Sequence, residues 1–193
     1  AYTSALVTKA LILGIKAGTI VYMPSILVFA IGLLSGAVAA ALFGLLVGIP
    51  ALRLRGDYLA IITLGFGEII RVVIQNLPFA GGKGLSSGQA GQALIGIMRM
   101  NDIYVIMGIT IACVAIMIAF VRSRFGRAII AIREDDIASS AAGLNNTYYK
   151  VLTFTVSAFF AGIAGAIYAH RGLGTLQHSD FTFLKSTEYV IMV

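Results

Sequence analysis

The sequence predicts an all-α fold, a polytopic transmembrane helical bundle that is truncated at both ends. Hydrophobic residues make up 59% of the 193-residue chain and charged residues only 11%, whereas an ordinary soluble domain is about 25% charged. Charge-free apolar runs recur at about the 20 residues that a helix needs to cross a hydrocarbon core roughly 30 Å thick. Segments of about ten residues with alternating hydrophobicity, typical of a membrane β-barrel, do not occur. Truncation is expected because the chain begins AYTSALV and stops inside an apolar run.

Apolar runs and prolines set the expected spans. Pro24 precedes the first full span, Pro50 ends it and Pro78 ends the second, because proline is tolerated at helix boundaries and not in helix interiors. The second span is the least regular, since it contains Glu68 and Arg71. The predicted spans are 5–15 (partial), 26–49, 58–77, 103–121, 151–169 and 183–193 (partial).

Basic residues orient the bundle. With the loops 51–57 and 122–149 on one side, six arginines lie close to span ends on that side. Cytoplasmic loops carry an excess of Lys and Arg, so we predict that this side is cytoplasmic and that the loop 79–102 is external. The six residues are Arg53, Arg55, Arg122, Arg124, Arg127 and Arg133.

Small residues recur every four positions in two spans. This spacing puts them on one helix face, where two backbones can approach closely in lipid. We interpret both rows as helix-packing surfaces, and a row that lines a pathway is the alternative. The first row is Gly32, Gly36, Ala40, Gly44 and Gly48, and the second is Ser157, Ala161, Gly165 and Ala169.

An ionisable pair, Glu68 and Arg71, lies inside the span 58–77. A charged side chain at membrane depth is costly, so it indicates a function by default. A spacing of three residues also allows the two side chains to pair with each other on one helix face. Gly65 and Gly67 could break the helix and line a polar cavity. A structural pair and a role in a pathway both stay open.

The sequence favours neither catalysis nor a metal or cofactor in this chain. The loop GGKGLSSGQAG at 81–91 resembles a phosphate-binding loop, but Lys83 is followed by Gly84 and not by the Ser or Thr of a Walker A motif. His170 and His178, expected in the last external loop, lack a third metal ligand. The net charge of +6 comes from residues that flank spans, without the aromatic interleaving of a nucleic-acid surface.

The segment RAIIAIREDDIASSAA at 127–142 predicts one short helix with a polar face. Gly143 is expected at its C-terminus, and Asn145 or Asn146 can cap the following span. A helix lying on the membrane surface is one interpretation. Three consecutive acidic residues suit an anionic leaflet poorly, so a helix that docks into a groove of another protein is the other.

Three stretches of the chain resemble the LivM-type permeases of bacterial branched-chain amino acid importers of the ATP-binding-cassette (ABC) class. They are RLRGDYLAIITLGFGEIIR at 53–71, SRFGRAIIAIREDDIASSAAGLNNTYYK at 123–150 and SAFFAGIAGAIYAH at 157–170. The resemblance covers essentially the whole chain and implies one transmembrane permease domain over 1–193, partial at both ends. It implies import of branched-chain or related hydrophobic amino acids across a bacterial or archaeal plasma membrane. Urea or short-chain amides are the alternative substrates within the family, and a secondary transporter or channel is a more distant alternative.

The resemblance also implies partners and a coupling site. The chain would pair with a second, LivH-like permease, two cytoplasmic ATPases that hold ATP and Mg, and a periplasmic or extracellular substrate-binding protein. The loop 122–149 would dock onto an ATPase. Its sequence departs from the broader permease motif EAA…G, because acidic residues follow Glu134 and delay the alanines. The implied coupling residues are Gly126, Arg127, Ala131, Arg133, Glu134, Asp135, Asp136, Ala138, Ala142 and Gly143.

Overall fold

A computed structural model of the chain describes residues 1–16, 24–52, 57–76, 94–95, 102–171, 175–176, 187–188 and 191–192. The described residues form seven helices and one pair of two-residue strands, which confirms the predicted helical class. The elements are α1 (Tyr2–Lys16), α2 (Ser25–Ala51), α3 (Asp57–Asn76), β1 (Leu94–Ile95), α4 (Ile103–Arg122), α5 (Arg124–Glu134), α6 (Asp136–Ala141), α7 (Asn146–Arg171) and β2 (Thr175–Leu176). The strands pair antiparallel, with Leu94 opposite Leu176 and Ile95 opposite Thr175.

Three of the described helices are long and apolar enough to cross a membrane by length and composition: Ser25–Ala51, Ile103–Arg122 and Asn146–His170. Helix α3, which covers residues 58–76 of the predicted span 58–77, is not among them and carries Glu68 and Arg71. The predicted span 183–193 and the loop 79–102 lie largely outside the described residues.

The core of the described chain lies where α1, α2 and α7 meet. Their contact is close because both long helices present small residues. Gly162 of α7 faces α2 so tightly that an added Cβ would lie 2.8 Å from the carbonyl oxygen of Gly36 and 2.8 Å from the Cα of Ala37. At Gly48, an added Cβ would lie 2.9 Å from the ring of Phe154. Such close backbone approach provides the dispersion contacts that hold helices together in lipid.

The first predicted row of small residues lies on the contact between α2 and α7. The second lies outside that contact, although its Gly165 and buried Ala169 face α1. On α2, Gly32, Gly36, Gly44 and Gly48 are all buried. On α7, Ala161 is exposed and Gly165 is only half-buried, with Ala1 as its neighbour. The α7 residues that meet the small residues of α2 are Phe154, Ala158, Gly162 and Ala166. The prediction therefore chose a row of α7 that is offset from the contact surface by one residue.

The end of α2 differs from the predicted one. Pro50 was expected to end the first full span, but α2 continues to Ala51, since the backbone N–H of Leu52 still bonds the carbonyl of Gly48 at 2.9 Å. Pro50 has no N–H, so the carbonyl of Leu46 lacks its helical partner near the end of α2. Pro24 precedes α2, as predicted. Helix α3 runs unbroken through Gly65 and Gly67, so these glycines do not open a polar cavity in it.

Candidate functional site

The segment between α4 and α7 is two helices, not the single helix predicted over 127–142. Ser123 caps α5, since its Oγ accepts a hydrogen bond from the backbone N–H of Gly126 at 3.4 Å. Asp135 has an extended backbone, with φ −150° and ψ 113°, and separates α5 from α6. We call α5 and α6 together (124–141) the two-helix segment.

Asp135 breaks the helix because it caps the next one. Its Oδ1 accepts hydrogen bonds from the backbone N–H groups of Ile137 at 2.8 Å and Ala138 at 3.0 Å. These bonds hold the pKa of Asp135 below its ordinary value, since hydrogen bonds to the ionised carboxylate favour the charged form. An aspartate that satisfies the first free N–H groups of a helix is the usual N-cap.

Asp136 ties the two-helix segment to the start of α7. Both of its carboxylate oxygens lie 3.0 Å from Nζ of Lys150. The side-chain amide of Asn146 donates to the Asp136 backbone carbonyl at 2.6 Å and to Oδ1 at 2.8 Å. Ser139, which is buried, lies 3.2 Å from Oδ1 of Asn146. We refer to Asp136, Asn146 and Lys150 as the Asp136 cluster.

The connection from α6 to α7 follows the predicted chemistry. Gly143 has φ +86°; the N–H of Gly143 bonds the Ser140 carbonyl at 3.0 Å and that of Leu144 bonds the Ser139 carbonyl at 3.1 Å. This is the Schellman pattern, which places glycine in the left-handed conformation. Asn145 caps α7 by accepting from the N–H of Tyr148 at 3.1 Å.

The remaining implied coupling residues divide into one internal residue and an exposed group. Gly126 is buried, and an added Cβ there would collide with the backbone of Val121, so it shapes the corner between α4 and α5. Arg133 and Glu134 pair at 2.9 Å with most of each side chain exposed. Ile137 is 81% exposed although its side chain is large and apolar. Arg127, Ala131, Ala138, Ala142 and Gly143 are also exposed.

A groove of about 390 Å³ separates α5 from α7 near the end of α2. Its floor is apolar, with Ile129 and Ile132 from α5, Phe154 from α7 and Leu52 from α2. Lys150 also lines this groove. Helix α5 also contacts α7 through Phe125, whose ring lies 6.4 Å from that of Tyr149, and the polar contact between the two-helix segment and α7 is the Asp136 cluster.

Glu68 and Arg71 on α3 pair with each other. Nε of Arg71 donates to Oε1 of Glu68 at 2.9 Å, and Nη2 contacts the same oxygen. Within the described part of the chain half of the Glu68 side chain and about a quarter of the Arg71 side chain are exposed. The pairing fits both a structural pair and a pathway role.

We predict that Glu68→Gln lowers transport more than it lowers the yield of assembled protein, because it leaves Arg71 without its charged partner. The comparison is substrate uptake against the amount of folded protein. The double variant Glu68→Gln/Arg71→Met separates the two interpretations. If the pair is only structural, uptake recovers in the double variant, because no charged side chain is left without a partner. Uptake at the wild-type level in Glu68→Gln would contradict a pathway role.

His170 lies in α7 and not in an external loop. Helix α7 continues past the predicted boundary at 169, and the ring of His170 is 1% exposed. Nδ1 donates to the Ala166 carbonyl at 2.7 Å, Nε2 lies 3.3 Å from Oγ1 of Thr8, and Phe29 packs edge-on at 5.2 Å between ring centroids. His178 lies outside the described residues. In the described ranges, no three His, Cys, Asp or Glu side chains are grouped so that they could hold a metal ion.

The sequence analysis missed the partners of Asp136 and the contacts of His170. Lys150 is 14 residues from Asp136, and Thr8 is 162 residues from His170. The two residues of each contact lie on different helices, so a periodicity argument, which compares positions within one helix, has no signal for these contacts. Asn146 was considered only as a helix cap, although its amide spans from α7 back to α6.

Apolar spanning helices with a polar two-helix segment between two of them define a multi-pass membrane protein. The model of the family described as branched-chain amino acid transport system, permease component, matches residues 1–193. The chain therefore belongs to this family of transport permeases, and its similarity is to the LivM type.

Two curated relatives carry the name high-affinity branched-chain amino acid transport system permease protein LivM. The one from Salmonella typhimurium strain LT2 is 36% identical, and the one from Escherichia coli strain K12 is 35% identical. Each match covers 83% of this chain and 44% of the relative. The chain thus spans less than half the length of the curated relatives it matches. No solved structure matches it.

Proposed function

We propose that the chain forms the membrane-spanning permease part of an ABC importer for branched-chain or related hydrophobic amino acids. The observation that carries the proposal is the exposed two-helix segment in a chain that matches a transport-permease family from end to end. Charged residues and three large apolar side chains, Phe125, Ile130 and Ile137, are exposed in this segment, which suits a protein partner. The named relatives support the substrate class, since both are branched-chain amino acid permeases.

The partner at this segment is a cytoplasmic ATPase. Arg133, Glu134 and Ile137 form its contact surface, because Asp135 and Asp136 are committed to the cap and to the Asp136 cluster. ATP and Mg bind to the ATPases and not to this chain. A second, LivH-like permease completes the membrane part, and a substrate-binding protein on the external side delivers the amino acid.

Import follows from movement of the docked ATPases. Their closure on ATP displaces the two-helix segment, and the displacement reaches the spans. A nucleotide can shift the permease between states only if the contacts at the segment differ between those states. A displacement of the segment also has to reach a span, and the bonds between Asp136 and Lys150 connect the segment to α7.

The test is uptake by the full-length protein in proteoliposomes with both ATPases, the second permease and the binding protein. We expect leucine, isoleucine and valine to accumulate only when ATP is inside, with uptake abolished when one of the ATPases is left out. Uptake of urea or acetamide in preference to leucine would assign the alternative substrates. Uptake driven by an ion gradient without ATPases would contradict the proposal and indicate a secondary transporter.

A further inference from the structure

We infer that Asp136 is a positioning residue that fixes the angle between α6 and the spanning helix α7, so that movement of a docked ATPase enters α7 instead of being absorbed in the link 142–145. The inference rests on the proposed function and goes beyond it. Asp136 belongs to the segment expected to touch the ATPase, yet its carboxylate is directed at α7. Its role would be internal to this chain.

The geometry of the Asp136 cluster restrains rotation as well as separation. Lys150 binds both carboxylate oxygens at 3.0 Å, and Asn146 binds one of them together with the Asp136 backbone carbonyl. The backbone and the side chain of Asp136 are thus hydrogen-bonded to Asn146 and Lys150, which lie one turn apart on α7. Two anchoring points on α7 define a direction, whereas a single ion pair would define only a distance.

Apart from this cluster, the bonds at the connection between α6 and α7 are local to it. The link is four residues long, with the Schellman bonds at Gly143 and Leu144 and the Asn145 cap. On the other side, a groove lined by Ile129 and Phe154 lies between α5 and α7. Exposed ion pairs add little to folding stability. We therefore expect loss of the Asp136 cluster to change the angle between α6 and α7 more than it changes the folding stability of the protein.

Helix α7 can carry the movement onward. Gly162 meets the backbone of Gly36 and Ala37 on α2, and Phe154 packs on Gly48. Closely packed backbones do not deform continuously, so α7 and α2 move together. Helix α1 follows, since Ser4 and Thr8 pack on the glycines of α2. The Asp136 cluster is therefore the point at which a displacement of α6 enters the three-helix core.

The functional test compares transport with ATP hydrolysis in the full-length assembled transporter. Asp136→Ala and Lys150→Ala are each expected to lower the substrate moved per ATP hydrolysed by about fivefold or more, the lower end of typical coupling between sites. Co-purified ATPase and the rate of hydrolysis stay at wild-type levels. The double variant is expected to be no worse than either single one, because both remove the same interaction.

A reversible rescue completes the functional test. The variant Asp136→Cys/Lys150→Cys is made in a background without other cysteines, Cys113→Ala included. After reaction with a short thiol cross-linker it is expected to move as much substrate per ATP hydrolysed as the wild type, whereas without the cross-linker it is expected to keep the lowered ratio. An unchanged ratio in Asp136→Ala would overturn the inference. A proportional fall in transport, hydrolysis and ATPase co-purification would overturn it as well, because that pattern marks a docking or folding residue.

A second measurement does not depend on transport. Spin labels at Ser140→Cys on α6 and Ala161→Cys on α7, again without Cys113, report the distance between the two helices. Asp136→Ala is expected to broaden this distance distribution, and an unchanged distribution would sink the inference. Absence of ATP-driven uptake in the wild-type protein would instead sink the proposed function, so the two failures are distinguishable.

Discussion

Gly162→Leu separates α7 from α2 and prevents the three-helix core from assembling. At Gly162 an added Cβ alone would lie 2.7 Å from the Cβ of Ala40 and 2.8 Å from both the Gly36 carbonyl oxygen and the Ala37 Cα. Two of these three neighbours are backbone atoms, which cannot rotate away as a side chain does. Overpacking a core typically costs about 1–3 kcal/mol, and the backbone contacts place Gly162→Leu at or above the upper end of that range.

The matched control for this variant is the adjacent residue. Ala161 is exposed in the described chain, so Ala161→Leu adds a larger side chain to the same turn without entering the α2 contact. The measurement is the yield of monodisperse protein and its thermal stability in detergent. We expect loss of both in Gly162→Leu and near wild-type values in Ala161→Leu. Equal behaviour of the two variants, or the reverse order, would contradict the packing of α7 described above.

These two neighbouring positions also mark a limit of the sequence analysis. The helical class and the long spans were readable because apolar length is a property of each segment alone. Which face of α7 meets α2 is a property of two segments together. The spacing of four residues is as regular in Ala158, Gly162 and Ala166 as in Ala161, Gly165 and Ala169. Spacing therefore does not decide between the two rows. On α2 only one such row contains four glycines, and there the choice agrees with the buried residues.

The break at Asp135 shows the same limit within a single segment. Glu134, Asp135 and Asp136 are alike in charge, and the sequence assigned all three to one polar helix face. In the structure Asp135 caps α6, Asp136 binds Lys150 and Asn146, and Glu134 pairs with Arg133. Aspartate competes for backbone N–H groups because its carboxylate is short, which favours a cap at either position. In the structure Asp135 is the cap, while Asp136 contacts Lys150 of α7, 14 residues further along the chain.

The strongest test of the docking surface is Ile137→Asp, which we expect to abolish stable association with the ATPase. Ile137 is 81% exposed although it is a large apolar residue on a polar segment. A hot-spot residue at the centre of a protein interface costs about 2 kcal/mol or more when it is removed, so loss of Ile137 in that role weakens binding by roughly 30-fold. The measurement is the amount of ATPase that co-purifies with the permease, together with ATP hydrolysis stimulated by substrate.

Control variants at the same position separate contact from folding. Ile137→Val keeps an apolar side chain and is expected to retain most ATPase, while both variants should give the wild-type yield because the side chain is mostly solvent-exposed. Glu134→Lys, at the rim of the same surface, is expected to reduce association less than Ile137→Asp, since a rim charge is partly screened by water and salt. Wild-type co-purification of ATPase with Ile137→Asp would contradict docking at this surface. In that case the membrane-surface interpretation predicts that Ile137→Asp changes the accessibility of α6 to lipid-soluble quenchers, as a helix that buries one apolar face in the headgroup region requires.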